Sequence, residues 1–272
     1  MRIKINFTKN TEDVPNNNSV ILSYLHRCLG RNNEYHDKVN DYNVSNLYGG
    51  GLCNNPKYLT FSDGGYFVFS SLNTELINKL LVGLLNNPMI GYGMRFSNID
   101  HISESFCNGW NHFATLSPFL IYRSIEKKKR IFITLEGVYK LIDGKYQITP
   151  DDNYNFEQVV KEYLINKLKK IDSSFDLSGF DLKIPKMGKN GIEHKGHKAK
   201  KVLVNNVVMW GNQCQISIFC NKKVAELLYN IGIGQSTGSG FGVIYKTENR
   251  STYVKTVKKL EIKKTKFLEE VL

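Results

Sequence analysis

Polar and apolar positions alternate at the start of the chain. Ile3, Ile5 and Phe7 share one face, which predicts a strand over residues 2–8. Residues 11–18 are polar and include Pro15, as a loop would. The period then changes. Val20, Ile21, Tyr24, Leu25, Cys28 and Leu29 recur at helical spacing and form one apolar stripe, and Gly30 is placed to end the helix. His26 falls opposite the centre of that stripe. Residues 58–61 and 66–69 read as a hairpin around a turn at 62–65. A second amphipathic helix is predicted over 72–85, with Leu76, Ile77, Leu80, Leu81, Leu84 and Leu85 on one face. Asn73 is its N-cap, with Thr74 as the alternative, and Pro88 lies just beyond its end. A strand within 90–107 completes the order strand, helix, strand, strand, helix, strand. That is the ferredoxin-like, or RRM-like, arrangement.

The second half repeats the theme loosely. Residues 113–122 read as a strand interrupted at Pro118, and 131–148 as short strands with a turn at Asp143-Gly144. A helix is predicted over 156–168, with Phe156, Val159, Val160, Tyr163, Leu164 and Leu168 on its apolar face. Strands within 178–220 flank a long basic loop. A helix over 224–231, a glycine-rich stretch and a strand over 241–245 follow. The expected fold is α+β: two tandem ferredoxin-like (RRM-like) domains, antiparallel sheets with helices on one face. The expected boundaries are 1–110 and 111–250, with 251–272 an unplaced tail.

Composition narrows the function. The formal net charge of +12 favours a polyanionic partner, nucleic acid before an anionic membrane. No apolar run reaches the roughly 18–20 residues of a membrane span, and the alternating N-terminus lacks the apolar core of a signal peptide. The five cysteines are scattered, with no C-x-x-C pair, so neither a disulfide framework nor a zinc site is indicated. A reducing cytoplasm fits. His194 and His197 are close in sequence but lack cysteine or carboxylate partners at ligand spacing, and His101 and His112 have no supporting pattern. No metal site and no cofactor are expected.

The densest signal is residues 232–242, with five glycines in eleven residues. Such a loop brings backbone close to other groups and suits phosphate oxygens. An ATP-type phosphate loop would need a Lys-Ser/Thr pair followed by a helix. Here Phe241 and Gly242 lead into a strand, so a loop along a polynucleotide backbone fits better. The pattern G-x-G-x-x-S/T-x-x-G-F-G, near the C-terminus and after a helix, resembles the signature of the CRISPR repeat-processing endoribonucleases, the "protein six" family of RRM-like repeat-associated proteins. The Thr115-Leu116-Ser117-Pro118 segment resembles the one that opens the family's second domain.

The resemblance implies metal-independent RNA cleavage. The ribose 2′-hydroxyl attacks the adjacent phosphate, leaving a 2′,3′-cyclic phosphate and a 5′-hydroxyl. It also implies a catalytic imidazole on the first helix or just after it. His36 is expected as general base and His26 as general acid, with interchangeable roles, and Lys38 and Tyr35 as supports. RNA contacts are expected from Gly232, Gly234, Gln235, Ser236, Thr237, Gly238, Ser239 and Gly240 of the loop. Two basic runs add to them: Lys127, Lys128, Lys129 and Arg130, and Lys186, Lys189, Lys195, Lys198 and Lys200. The partner is then a CRISPR repeat transcript. A homodimer and hand-off of the product to an effector complex remain open. The alternative is a non-catalytic guide-RNA-binding subunit of such a complex, which would share the loop and the fold.

Overall fold

The computed structural model describes residues 1–30, 42–126, 129–149, 155–184, 197–204 and 207–247. The N-terminal half runs β1 (Arg2–Phe7), β2 (Val14–Pro15), α1 (Ser19–Leu29), β3 (Tyr42–Val44), β4 (Gly51–Leu52), β5 (Tyr58–Thr60), β6 (Gly65–Ser71), α2 (Thr74–Asn86), β7 (Met89–Gly91) and β8 (Met94–Ile102). Five strands form an antiparallel sheet in the order β3-β6-β1-β8-β7. Setting aside the short edge strand β7, this is the ferredoxin-like order, with the first strand between the third and the fourth. Ile3, Ile5 and Phe7 face the apolar stripes of both helices in one core. The two helices approach closely at Gly83, where a Cβ would overlap the Cys28 carbonyl. Asn73 caps α2, its Oδ1 accepting from the Leu76 amide at 3.1 Å.

Two expectations change here. Residues 58–60 do not pair with β6. They form β5, which joins β2 and β4 in a small separate sheet. The place beside β6 is taken by β3 and the Tyr48–Tyr66 bridge. Phe61 is what separates the two segments: it turns into the core, edge-on to Phe7 at 5.2 Å. Leu85, expected on the buried face of α2, is 71% exposed, and the helix buries Leu76, Ile77, Leu80 and Leu84 instead.

The C-terminal half runs β9 (Gly109–Thr115), β10 (Tyr122–Glu126), β11 (Lys129–Thr134), β12 (Gly137–Ile142), β13 (Lys145–Thr149), α3 (Phe156–Ile171), β14 (Asp181–Lys183), β15 (Lys198–Val204), β16 (Val207–Gln213), β17 (Gln215–Cys220), α4 (Lys222–Ile231) and β18 (Ile244–Lys246). Its main sheet is ordered β14-β17-β9-β18, the same ferredoxin-like order, again antiparallel. The four-stranded sheet β10–β13 is inserted between β9 and α3, and the hairpin β15–β16 between β14 and β17. Asp143 and Gly144 both adopt positive φ in the β12–β13 turn, as a two-residue type I′ turn requires. The last strand starts three residues later than expected. The Gly242 amide is drawn to the Pro118 carbonyl (2.9 Å), the Val243 amide bonds Ser117 Oγ (3.1 Å), and Phe241 packs into a small cluster with Leu120 and Val204.

The halves are joined by buried polar contacts. Arg2 on β1 is 2% exposed; its guanidinium lies over the Tyr229 ring and donates to the Tyr229 and Ile244 carbonyls. Burial pulls Arg2 down to about 10. Ser70 Oγ donates to the Asn230 carbonyl at 2.7 Å, and the Tyr48 hydroxyl donates to the Leu116 carbonyl. The end of α4 is thereby held against β1 and β6, which sets the position of the loop that follows.

Candidate functional site

Helix α4 is capped by Asn221, which accepts from the Val224 amide at 2.9 Å, and ends at Gly232, whose φ is +74°. From there the glycine loop turns on two internal bonds and one to the segment before β10. The Ile233 amide reaches the Gly242 carbonyl (2.9 Å), Gln235 reaches Leu120 (2.8 Å), and Ser239 reaches Ser236 (2.9 Å). Gly232, Gly234, Gly238 and Gly240 are buried. A Cβ at Gly232 would overlap Asn43, one at Gly234 the Leu120 carbonyl, and one at Gly240 Asn18. The glycines thus let the loop press against both halves. Gln235, Ser236 and Ser239 are half-exposed, and Ser236 sits at φ +57°, left-handed for a residue with a side chain.

The loop seats on the start of α1. Asn18 occupies the N-cap position of that helix but makes no capping bond; its Nδ2 donates to the Ser239 carbonyl at 3.0 Å. Asn43, fully buried on β3, lies beside Gly232, and neither of its side-chain polar atoms has a partner among the described residues.

On its other side the loop borders a cavity of about 1000 Å³. Helix α3 lines it with Tyr163, Lys167 and Lys170, the loop with Gln235, Ser236 and Thr237, and Tyr122, Ile231 and the Leu72-Asn73 pair just before α2 complete the lining. Lys167 Nζ donates to the carbonyls of Gly232 (3.0 Å) and Gly234 (3.2 Å), and the Tyr163 hydroxyl donates to the Gly234 carbonyl (2.9 Å). Burial pulls the Lys167 ammonium down to about 8. Gln235 Oε1 accepts from the Tyr122 amide at 2.7 Å.

His26 lies half-buried on α1, the helix whose start meets the loop. Tyr35, His36 and Lys38 fall outside the described residues, as do Lys127, Lys128, Lys186, Lys189 and Lys195. Lys129 begins β11, and Arg130 lies over the Tyr122 ring at 4.6 Å, at the edge of the cavity wall. Lys198 and Lys200 are exposed on β15. His197 is buried, its Nε2 accepting from the Gln215 amide, and His112 Nδ1 is 2.8 Å from Ser217 Oγ. Sequence reasoning passed over Asn18, Asn43 and the polar side of α3. The signal for the last was weak: Tyr163 reads as part of the apolar stripe, and Lys167 and Lys170 as an ordinary solvated face.

Residues 103–245, more than half of the chain, match the family model described as CRISPR associated protein Cas6, C-terminal. The chain belongs to the Cas6 family. The match spans the glycine loop and the strands of the second ferredoxin-like sheet up to Tyr245 of β18. No curated protein matches this Cas6-family chain in sequence. Among solved structures, a Cas6-related protein from Pyrococcus furiosus is similar with a TM-score of 0.69 at 17% identity, over 92% of this chain and 99% of that one. A RAMP protein described as binding different RNA substrates gives 0.68 at 16%, over 91% and 100%. A CRISPR-associated Cas6 protein gives 0.64 at 18%, over 91% and 99%. At these identities the likeness is one of fold, and it runs through both ferredoxin-like halves.

Proposed function

We propose that this Cas6-family chain is an endoribonuclease that cuts CRISPR precursor RNA within its repeats, without a metal ion. The 2′-hydroxyl oxygen attacks the adjacent phosphorus as a general base takes its proton. The bond from phosphorus to the 5′-oxygen breaks, and a general acid protonates that oxygen, leaving a 2′,3′-cyclic phosphate and a 5′-hydroxyl. His36 serves as base and His26 as acid, with the roles open to exchange, and Lys38 and Tyr35 steady the phosphate or an imidazole. The half-exposed Gln235, Ser236 and Ser239 present hydrogen-bonding groups to the RNA backbone, while the buried glycines hold them in place. The 127–130 run and the basic residues from Lys186 to Lys200 supply phosphate contacts.

The observation that carries this reading is the seat of the glycine loop on α1. Asn18, at the start of the helix that bears His26, bonds the loop directly instead of capping the helix. A second reading, a non-catalytic RNA-binding subunit, is favoured by the similar RAMP structure described as binding RNA. The two part on one experiment: cleavage of a labelled cognate repeat in EDTA, beside the same RNA with a 2′-deoxy residue at the cut. The nuclease cuts the first at one site and binds the second uncut. Tight binding with no cleavage of either establishes the binding subunit, and metal-dependent cutting of both overturns the 2′-hydroxyl mechanism.

A further inference from the structure

The cavity between the glycine loop and α3 carries a further assignment. We infer that it takes unpaired nucleotides of the bound RNA, with a phosphate on Lys167 and Lys170 and a base against the Tyr122 and Tyr163 side. This rests on the reading that the ligand is RNA, and not on catalysis.

Four observations support it. The cavity, about 1000 Å³, is at the upper end for a ligand pocket, which leaves room for more than one nucleotide. Its lining holds two lysines and no carboxylate, so an anion enters without repulsion. An ammonium has three donors. Two of those on Lys167 go to the Gly232 and Gly234 carbonyls, and the third has no acceptor among the described residues. The fixed pair of bonds aims the charge, so it is a built site and not a loose surface lysine. Finally, Leu72, Ile171 and Ile231 add apolar side chains to a lining that also holds polar ones, which suits a base with a flat apolar face and polar edges. Duplex RNA carries its phosphates on a convex surface with its bases stacked inside, so a recess of this kind selects splayed, single-stranded nucleotides.

The test measures binding of labelled oligouridylate and oligoadenylate octamers, and of a blunt-ended RNA hairpin, by fluorescence anisotropy over a salt series. Lys170→Glu alters an exposed helix position, and Lys167→Met removes the aimed charge. Each variant is expected to weaken octamer binding about tenfold and to lower the salt slope by about one, with hairpin affinity unchanged. Octamer affinity equal to wild type in both variants overturns the assignment. So does an equal loss for octamer and hairpin, which marks a general field and not a pocket. Cleavage of the cognate repeat by wild type is scored separately. Pocket-dependent octamer binding without cleavage keeps this assignment and sinks the nuclease reading; cleavage with pocket-independent octamer binding does the reverse.

Discussion

In both halves a helix hands the chain to the last strand of a ferredoxin-like sheet, and the two connections are built differently. After α2 the chain leaves through Asn87 and Pro88, makes the short edge strand β7, and turns at Tyr92 and Gly93 into β8. Met89 in this connection is exposed, and a Cβ at Gly91 would meet nothing. After α4 the chain turns through buried glycines that touch Asn18, Asn43 and Leu120, two of them in the other half. The same topological slot is a plain edge in one half and a packed joint in the other. Repeating a fold leaves its connections free to diverge, and a connection that touches the other half is the one able to carry a site.

The contrast can be broken by substitution. Gly242→Ala should have the largest effect. Its φ is +73° and the new methyl would overlap the Ile233 carbonyl, so strain and clash together should cost about 4 kcal/mol. Thermal unfolding should show a drop of about 8–16 °C. Gly91→Ala, in the matching connection, brings only its unfavourable φ of +129° and should cost about 1–2 kcal/mol. Similar losses at the two sites would refute the packed-joint account. Arg2→Met should come between them, at about 3 kcal/mol, because it strips the Tyr229 and Ile244 carbonyls of a charged donor in a buried place. Urea titration would measure it. Asn18→Ala should cost about 1 kcal/mol, and hydrogen exchange at the loop amides should rise while exchange in β1 and β6 stays as it was.

The last effect concerns pH. The folded-state pKa of Lys167 is about 8, below its ordinary 10.5. As pH rises through 8 the folded state releases a proton that the unfolded state keeps. Unfolding then takes up a proton, and this group's contribution raises stability between about pH 8 and 10.5. Octamer binding should move the other way, falling above pH 8 as the charge is lost. Lys167→Met should flatten both trends, and a wild-type pH profile that matches the variant's would count against the buried charge.

The sequence carried the periods well. The Ile3, Ile5 and Phe7 face, the stripe of the first helix, that of the second except Leu85, and the Asn73 cap stand in the structure, because each is a local pattern. Pairing was harder to read. Residues 58–69 alternate like a hairpin, yet period alone does not name a strand's partner, and the burial of Phe61 sends the two segments to different sheets. The glycine loop was visible from its composition, but what it touches was not. Asn18 reads as the last residue of a polar loop, and it bonds the glycine loop across 221 residues, a contact that no local pattern records. Lys167 was hidden for a similar reason: on α3 alone it is one lysine among several, and only the carbonyls of Gly232 and Gly234 single it out.

The central claim is that the chain cuts RNA with the imidazoles on and just after α1, at the loop seated on that helix. The most direct measurement is single-turnover cleavage of cognate repeat RNA in EDTA by wild type, His36→Ala, His26→Ala and the double variant, with RNA affinity measured in parallel. Each single substitution should slow cleavage by about 10²–10⁴-fold while affinity stays within a few-fold of wild type. Cleavage at the wild-type rate by the double variant, with affinity intact, would contradict the account and move the chemistry elsewhere on the fold.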